Sequence, residues 1–192
     1  MNTSSLSAER EHLANLLEAA QRCSHFLYAS SSKVAWPLDG QALKQRQKDQ
    51  DLFEALAAFN EWFAKLQDTL GAAMRHSALL MSESTTPFLK VLALFEKLEV
   101  IDSIASWQLC RTARNLAAHD YETDYTLIAE HFNELQALQA ILIKAAARLL
   151  SVCAQSLNIK PTTADFETEF MHVCAAINSP AQIQNLTGKT PQ

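Results

Sequence analysis

The chain has 192 residues, 48% of them apolar, with three glycines and five prolines, so it can bury a sizeable core but poorly suits a turn-rich β architecture. Its net charge of −5 and pI near 5.7 have the wrong sign for a protein that coats long nucleic acid, although a local cationic pocket remains possible. Cys23, Cys110, Cys153 and Cys174 are widely spaced and form no C-x-x-C or Cys/His ligand pair, which favours buried free thiols in a reducing cytoplasm over disulfides or a metal site.

The N-terminus, MNTSSLSAEREH, is polar and lacks the apolar stretch of a signal peptide, and no later run of 18 apolar residues occurs. The expectation is a cytoplasmic protein with no membrane segment. Residues 7–30 read as a first helix, capped by Ser7, with Glu9 and Glu11 at its positive end. Leu13, Leu16, Leu17, Ala20, Cys23 and Leu27 form its apolar stripe. Trp36-Pro37 and Asp39-Gly40 break the pattern as a loop, and the charged run from Lys44 leads into the next helix. His12 and His25 read as solvated or half-buried helix positions.

From Asp49 to about Ser82 the residues Leu52, Leu56, Phe59, Phe63, Leu66, Leu70, Ala73, Ser77 and Leu80 alternate spacings of four and three, the seam of a helix packed against another. Such a helix is ~50 Å long, more than a bundle of this size needs, which predicts a bend near Gly71 or a face for a second subunit. Arg75-His76 lies on it as an exposed polar pair, with a second polar site as the sharper alternative. Thr86-Pro87 has the chemistry of an N-cap and first helical residue for a third helix bearing Phe88, Val91, Leu92, Phe95 and Leu98.

Asp102 or Ser103 begins a short helix that carries the densest polar cluster in the chain, in WQLCRTARNLAAHDYETDY, residues 107–125. Arg111, Asn115 and His119 share one face at a spacing of four. Arg114 and His119, five apart, diverge by ~140° on an unbroken helix. To act on one atom they need a bend near Ala118 or a second subunit. A fifth helix to about Leu157 has the seam Ile128, His131, Leu135, Leu138, Leu142, Ala145, Leu149 and Val152, with His131 expected to be a satisfied core or interface histidine. A break at Pro161, a short helix over about 163–177 and a loose tail from Asn178 close the chain. Residues 1–157 thus form an all-α, antiparallel bundle of four long helices plus the short motif helix, and 158–192 form a C-terminal extension.

The pattern R-N-x-x-x-H-x-Y, carried by Arg114, Asn115, His119 and Tyr121, resembles the R-x4–6-H signature of HEPN domains, and its H-x-Y end resembles the HepT-like branch. The preceding FEKLEVIDSIASWQLCRTARN is similar as well, with a helix end, an I-D-S start, a Trp and then the Arg-Asn pair. The resemblance spans roughly residues 13–152. It implies a HEPN-like bundle that dimerises so that two motifs share one cleft and cleave RNA without metal or cofactor. It also implies a small nucleotidyltransferase partner of the toxin–antitoxin type, which places AMP on Tyr121.

The residue chemistry is compatible. A histidine titrates near neutrality, an arginine fork matches a phosphate, and Asn115 can orient the imidazole or bond the ribose. Arg114, Asn115 and His119 are therefore the candidate catalytic residues, with Arg111 in support. The local charge opposes this, since Arg111 and Arg114 face Asp120, Glu122 and Asp124 within 107–125, and Arg114 could simply pair with Asp120 or Glu122. Two alternatives stay open: a non-catalytic HEPN subunit that binds nucleotide or a partner transferase, and a helical interaction protein without ligand.

Overall fold

A computed structural model describes residues 3–116 and 123–179, and all their regular structure is helical. The elements are α1 (Thr3–Ser31), α2 (Gly40–Gln45), α3 (Gln50–Leu80), α4 (Phe88–Lys97), α5 (Ile104–Leu116), α6 (Tyr125–Val152) and α7 (Glu167–Ile177), with a π-helical turn, Cys153–Leu157, after α6. The result is the all-α bundle the seams require, although α4 spans only ten residues and the long helices are α1, α3 and α6. Aspartates begin three of these helices. Asp39, Asp49 and Asp124 accept from the backbone N–H groups of Ala42, Leu52 and Thr126 at 2.9, 3.1 and 2.8 Å, satisfying donors that a first turn leaves open.

α1 starts at Thr3, four residues before Ser7, because nothing in that stretch breaks a helix. α2 replaces part of the expected loop and charged lead-in. Its first residue is held close to α6, where a Cβ on Gly40 would come within 2.7 Å of the Thr126 Cα, so only glycine permits this approach. α4 begins one residue later than its sequence suggests. Pro87 occupies the cap position and Thr86 supplies no capping bond, its carbonyl instead accepting from Ser84 Oγ at 2.9 Å.

α3 runs without interruption through Gly71 and makes its most extensive contact with α1. Phe59, Phe63, Leu66, Leu70, Ala73, Met74 and Ala78 enter the main core with Leu13, Leu17, Ala20 and Leu27 of α1. Leu52, Ala55 and Leu56 extend into a smaller cluster with Val34, Leu43 and Ala129. The helix is longer than one cluster needs because it serves two. On α6, Leu135, Leu142, Ala145 and Leu149 are buried, while Ile128, His131 and Leu138 are half-buried and Leu127 is 49% exposed.

The extension is docked on the bundle. Thr162 Oγ1 donates to Asn15 Oδ1 at 2.6 Å and the Thr163 N–H to Glu18 Oε2 at 3.1 Å, while Ile159, Phe170, Val173 and Ile177 join the main core. The tail from residue 180 lies outside the described residues. One segment, Tyr125–Leu157, is long and apolar enough to cross a membrane, which the search for an uninterrupted apolar run does not reveal; 39% of its most apolar window is buried inside the bundle.

Two groups in the core can be tested. Cys23, Cys110 and Cys153 are buried and Cys174 is half-buried, all as free thiols. Burial raises each of them above its ordinary range, Cys110 to about 12. A thiol reagent at about pH 8 should therefore label Cys174 first and the other three only as the protein unfolds; rapid labelling of all four in the folded state would contradict this packing.

His131 departs from the satisfied histidine expected of it. Both ring nitrogens are shielded from solvent and have no hydrogen-bond partner among the described residues. Burial holds its imidazole below the usual range, with Glu134 opposing more weakly. The unfolded chain takes up this proton near pH 6.5, before the folded protein does, so the contribution of His131 to stability falls as pH drops through 6.5 toward the depressed folded value. Between about pH 7.5 and 5.5, His131→Leu should lose less melting temperature than the wild type; equal losses would show that His131 does not contribute.

Candidate functional site

The motif helix is set in place at its first turn. The Ser106 N–H donates to Ser103 Oγ at 3.0 Å and the Ser103 N–H to Ser106 Oγ at 3.2 Å, a reciprocal box that satisfies two open donors. Glu96 of α4 adds a third bond, accepting from the Ile104 N–H at 2.8 Å, and Arg148 of α6 pairs with Asp102 just before the helix. Cys110 and Ala113 then turn into the core, and Trp107 is buried beside them. Trp107, Arg111 and Arg114, spaced four and three, form one row along α5 that faces α3 rather than the core centre.

That row and one face of α3 enclose a groove of about 280 Å³. α3 contributes Gln67, Asp68, Gly71, Ala72 and Arg75, and Phe88 at the start of α4 closes the lining. Arg114 Nη1 donates to Asp68 Oδ1, with 32% of the arginine side chain and 63% of the aspartate exposed. The described partner of Arg114 is therefore on α3; Asp120 and Glu122 lie outside the described residues. The Arg75 guanidinium sits 4.9 Å from the centre of the Phe88 ring, a cation–π contact that restrains it at the groove. Arg75 and Arg111 have no ion-pair partner among the described residues.

Three guanidinium groups against one carboxylate give the groove a local excess of two positive charges in a chain of net charge −5. From α3 come one positive charge, Arg75, and one negative, Asp68, which cancel, so the excess belongs to the described lining and the deficit of 107–125 stands. Arg75 is the residue that sequence reasoning set aside, and Gln67 and Asp68 are residues it missed. The only signal was their common face, since residues 67, 68, 71, 72 and 75 fall on one side of a helix. His76, its chain neighbour, points elsewhere: its Nδ1 lies 2.9 Å from Glu9 Oε2 and its ring 4.4 Å from that of His12.

Of the candidate residues, the structure brings Arg111 and Arg114 together in the groove. The side chain of Asn115, and His119 and Tyr121 entirely, lie outside the described residues. A larger hollow of about 450 Å³ lies between the α4–α5 connection and α6, but Glu96, Glu99 and Asp102 outnumber Arg148 there, the wrong balance for a phosphate. Among the described residues no group of three or more His, Cys, Asp or Glu side chains is arranged to hold a metal ion. Comparisons of the chain with family models, curated proteins and solved structures give no match.

Two substitutions separate the groove from the scaffold. Gly71 is helical, and a Cβ there would meet Phe88 Cζ at 3.6 Å and Trp107 Cζ2 at 3.8 Å, ordinary contacts. Gly71→Ala should therefore stabilise the protein by roughly 0.5–1 kcal/mol through helix propensity while narrowing the groove. The Asp68–Arg114 pair is solvated, so Asp68→Asn should change stability by no more than ~1 kcal/mol in a denaturant titration. A larger loss would mark the pair as a structural clamp.

Proposed function

We propose that this protein is a HepT-like HEPN ribonuclease that acts as a cytoplasmic homodimer and is neutralised by a small nucleotidyltransferase partner. The observation that supports the proposal is the cationic groove lined by Arg75, Arg111 and Arg114, since guanidinium groups gathered in one groove suit a polyanion. The R-N-x-x-x-H-x-Y pattern supplies the rest.

In this mechanism His119 of one subunit removes the proton of a ribose 2′-OH, and the oxygen attacks the adjacent phosphorus. Arg114 balances the charge that develops on the non-bridging oxygens. His119 of the partner subunit, protonated, gives its proton to the departing 5′ oxygen, leaving a cyclic phosphate and a free 5′-OH. The two-fold arrangement answers the divergence of Arg114 and His119 along a single helix. AMP on Tyr121 would add negative charge and bulk to the motif and oppose RNA binding. A non-catalytic, nucleotide-binding subunit is the second possibility, and the engagement of Arg114 by Asp68 favours it, since that guanidinium must exchange partners before it can serve a phosphate.

His119→Ala should lose ~10²–10⁴-fold in cleavage rate while keeping its melting temperature and oligomeric state. Arg114→Lys should fail similarly, because an ammonium cannot reproduce the guanidinium fork. Cleavage should survive EDTA and stop on 2′-O-methylated RNA. A wild-type protein that cleaves no RNA but accepts AMP on Tyr121 from a transferase would establish the non-catalytic subunit instead.

A further inference from the structure

We propose that the α3–α5 groove is a binding subsite for one nucleotide, in which Arg75 and Arg111 hold a phosphate and Gln67 meets a hydroxyl or N–H donor of the attached nucleoside. The proposal deepens the ribonuclease reading by naming where substrate is held, with a residue, Arg75, that lies nearly forty positions before the motif. Binding can nonetheless be measured without cleavage.

Charge is the first support. Like charges gathered in one groove repel one another, and here Arg75 and Arg111 have no carboxylate among the described residues to relieve them. An anion would. Phosphate suits two guanidinium forks because each can offer it two parallel N–H donors.

Gln67 is the second support. It is 97% withdrawn from solvent at 3% exposure, and its Nε2 reaches the Trp107 carbonyl only at the long distance of 3.5 Å. Its Oε1 is buried with no hydrogen-bond partner. A buried acceptor without a donor is costly, and a ribose hydroxyl or base N–H in the groove would satisfy it once the amide turns toward the opening. The lining gives the third support. Phe88 and the edge of Trp107 flank Gly71, where even one added Cβ would touch both rings, so the floor of the groove is apolar there and offers a surface to a sugar or base rather than to a bare phosphate.

The test titrates the full-length protein with inorganic phosphate, with AMP and with a short 2′-O-methylated oligoribonucleotide, by calorimetry at several salt concentrations. Saturable binding of AMP, of the oligoribonucleotide or of both is expected, tighter than that of phosphate. Affinity for AMP would identify free nucleotide as an occupant; affinity for the oligomer alone would identify a segment of RNA. Arg75→Gln and Arg111→Gln should each weaken binding about tenfold, and for the oligomer each should lower the slope of log affinity against log salt by about 0.7. Gly71→Ala should weaken binding while raising the melting temperature. Arg148→Gln, altered at the other hollow, should bind as wild type does.

Equal affinities for wild type and Arg75→Gln, when both are folded by circular dichroism, would overturn the proposal. So would saturation by phosphate with no preference for either nucleotide probe, or no binding of any probe. Arg75-dependent binding in a protein that never cleaves RNA sustains the subsite and removes the ribonuclease. Cleavage with a KM that Arg75→Gln leaves unchanged sustains the ribonuclease and removes the subsite.

Discussion

Phe59, Phe63, Leu66 and Leu70 of α3, withdrawn almost completely from solvent, meet the Leu13, Leu17 and Leu27 face of α1, and the remaining elements take their places from that contact. Burying one such side chain contributes on the order of 1.5–3 kcal/mol, so a seam of this length outweighs any single polar interaction in the molecule. Because α3 is continuous, it carries residues from the small cluster around Leu43 at one end to Ser77 at the other, where Ser77 Oγ lies 3.2 Å from Cys153 Sγ in the π turn. α6 then spans both clusters, with Ala129 in the smaller and Leu135 to Leu149 in the larger.

The groove is a consequence of that frame. α3 buries one stripe and leaves an adjoining face carrying Gln67, Asp68, Gly71 and Arg75. α5 has too short an apolar stripe to bury the whole helix, since Trp107, Cys110 and Ala113 occupy only part of its circumference. Where those two incompletely buried faces approach one another, the lining is mixed, with Gln67, Asp68 and three arginines beside Phe88 and Trp107. Their balance is set by geometry: three arginines converge and one aspartate answers them. The net negative charge of the whole chain is therefore a poor guide to the local field, which depends on which few charges the packing brings together.

Much of the fold was legible in the residues. The four-and-three seams of α3 and α6 mark helices and name most of their buried positions, since a stripe of that period has no other way to leave water. Asp49 marks the start of α3, and Ser103 that of α5, because Asp and Ser compete for the open N–H groups of a first turn. Less legible were α2, too short to show a period, and the division of the α3 seam between two clusters. His131 also looked satisfied on its seam. Whether a partner reaches its nitrogens depends on neighbours several turns away on other helices, which no local pattern records.

The amino-acid sequence by itself determined the class of fold, the apolar faces, the reduced cysteines and the presence of an Arg-Asn-His-Tyr pattern following a buried tryptophan. These follow from periodicity and residue chemistry, which act within one or two helical turns. Only the tertiary structure decided that Arg75 joins Arg111 and Arg114, that Asp68 receives Arg114, and that Gln67 is closed beneath them with an acceptor unpaired. Asp68 and Arg114 are 46 residues apart, and a contact across that distance is fixed by how α3 and α5 dock, not by the chemistry of either helix alone.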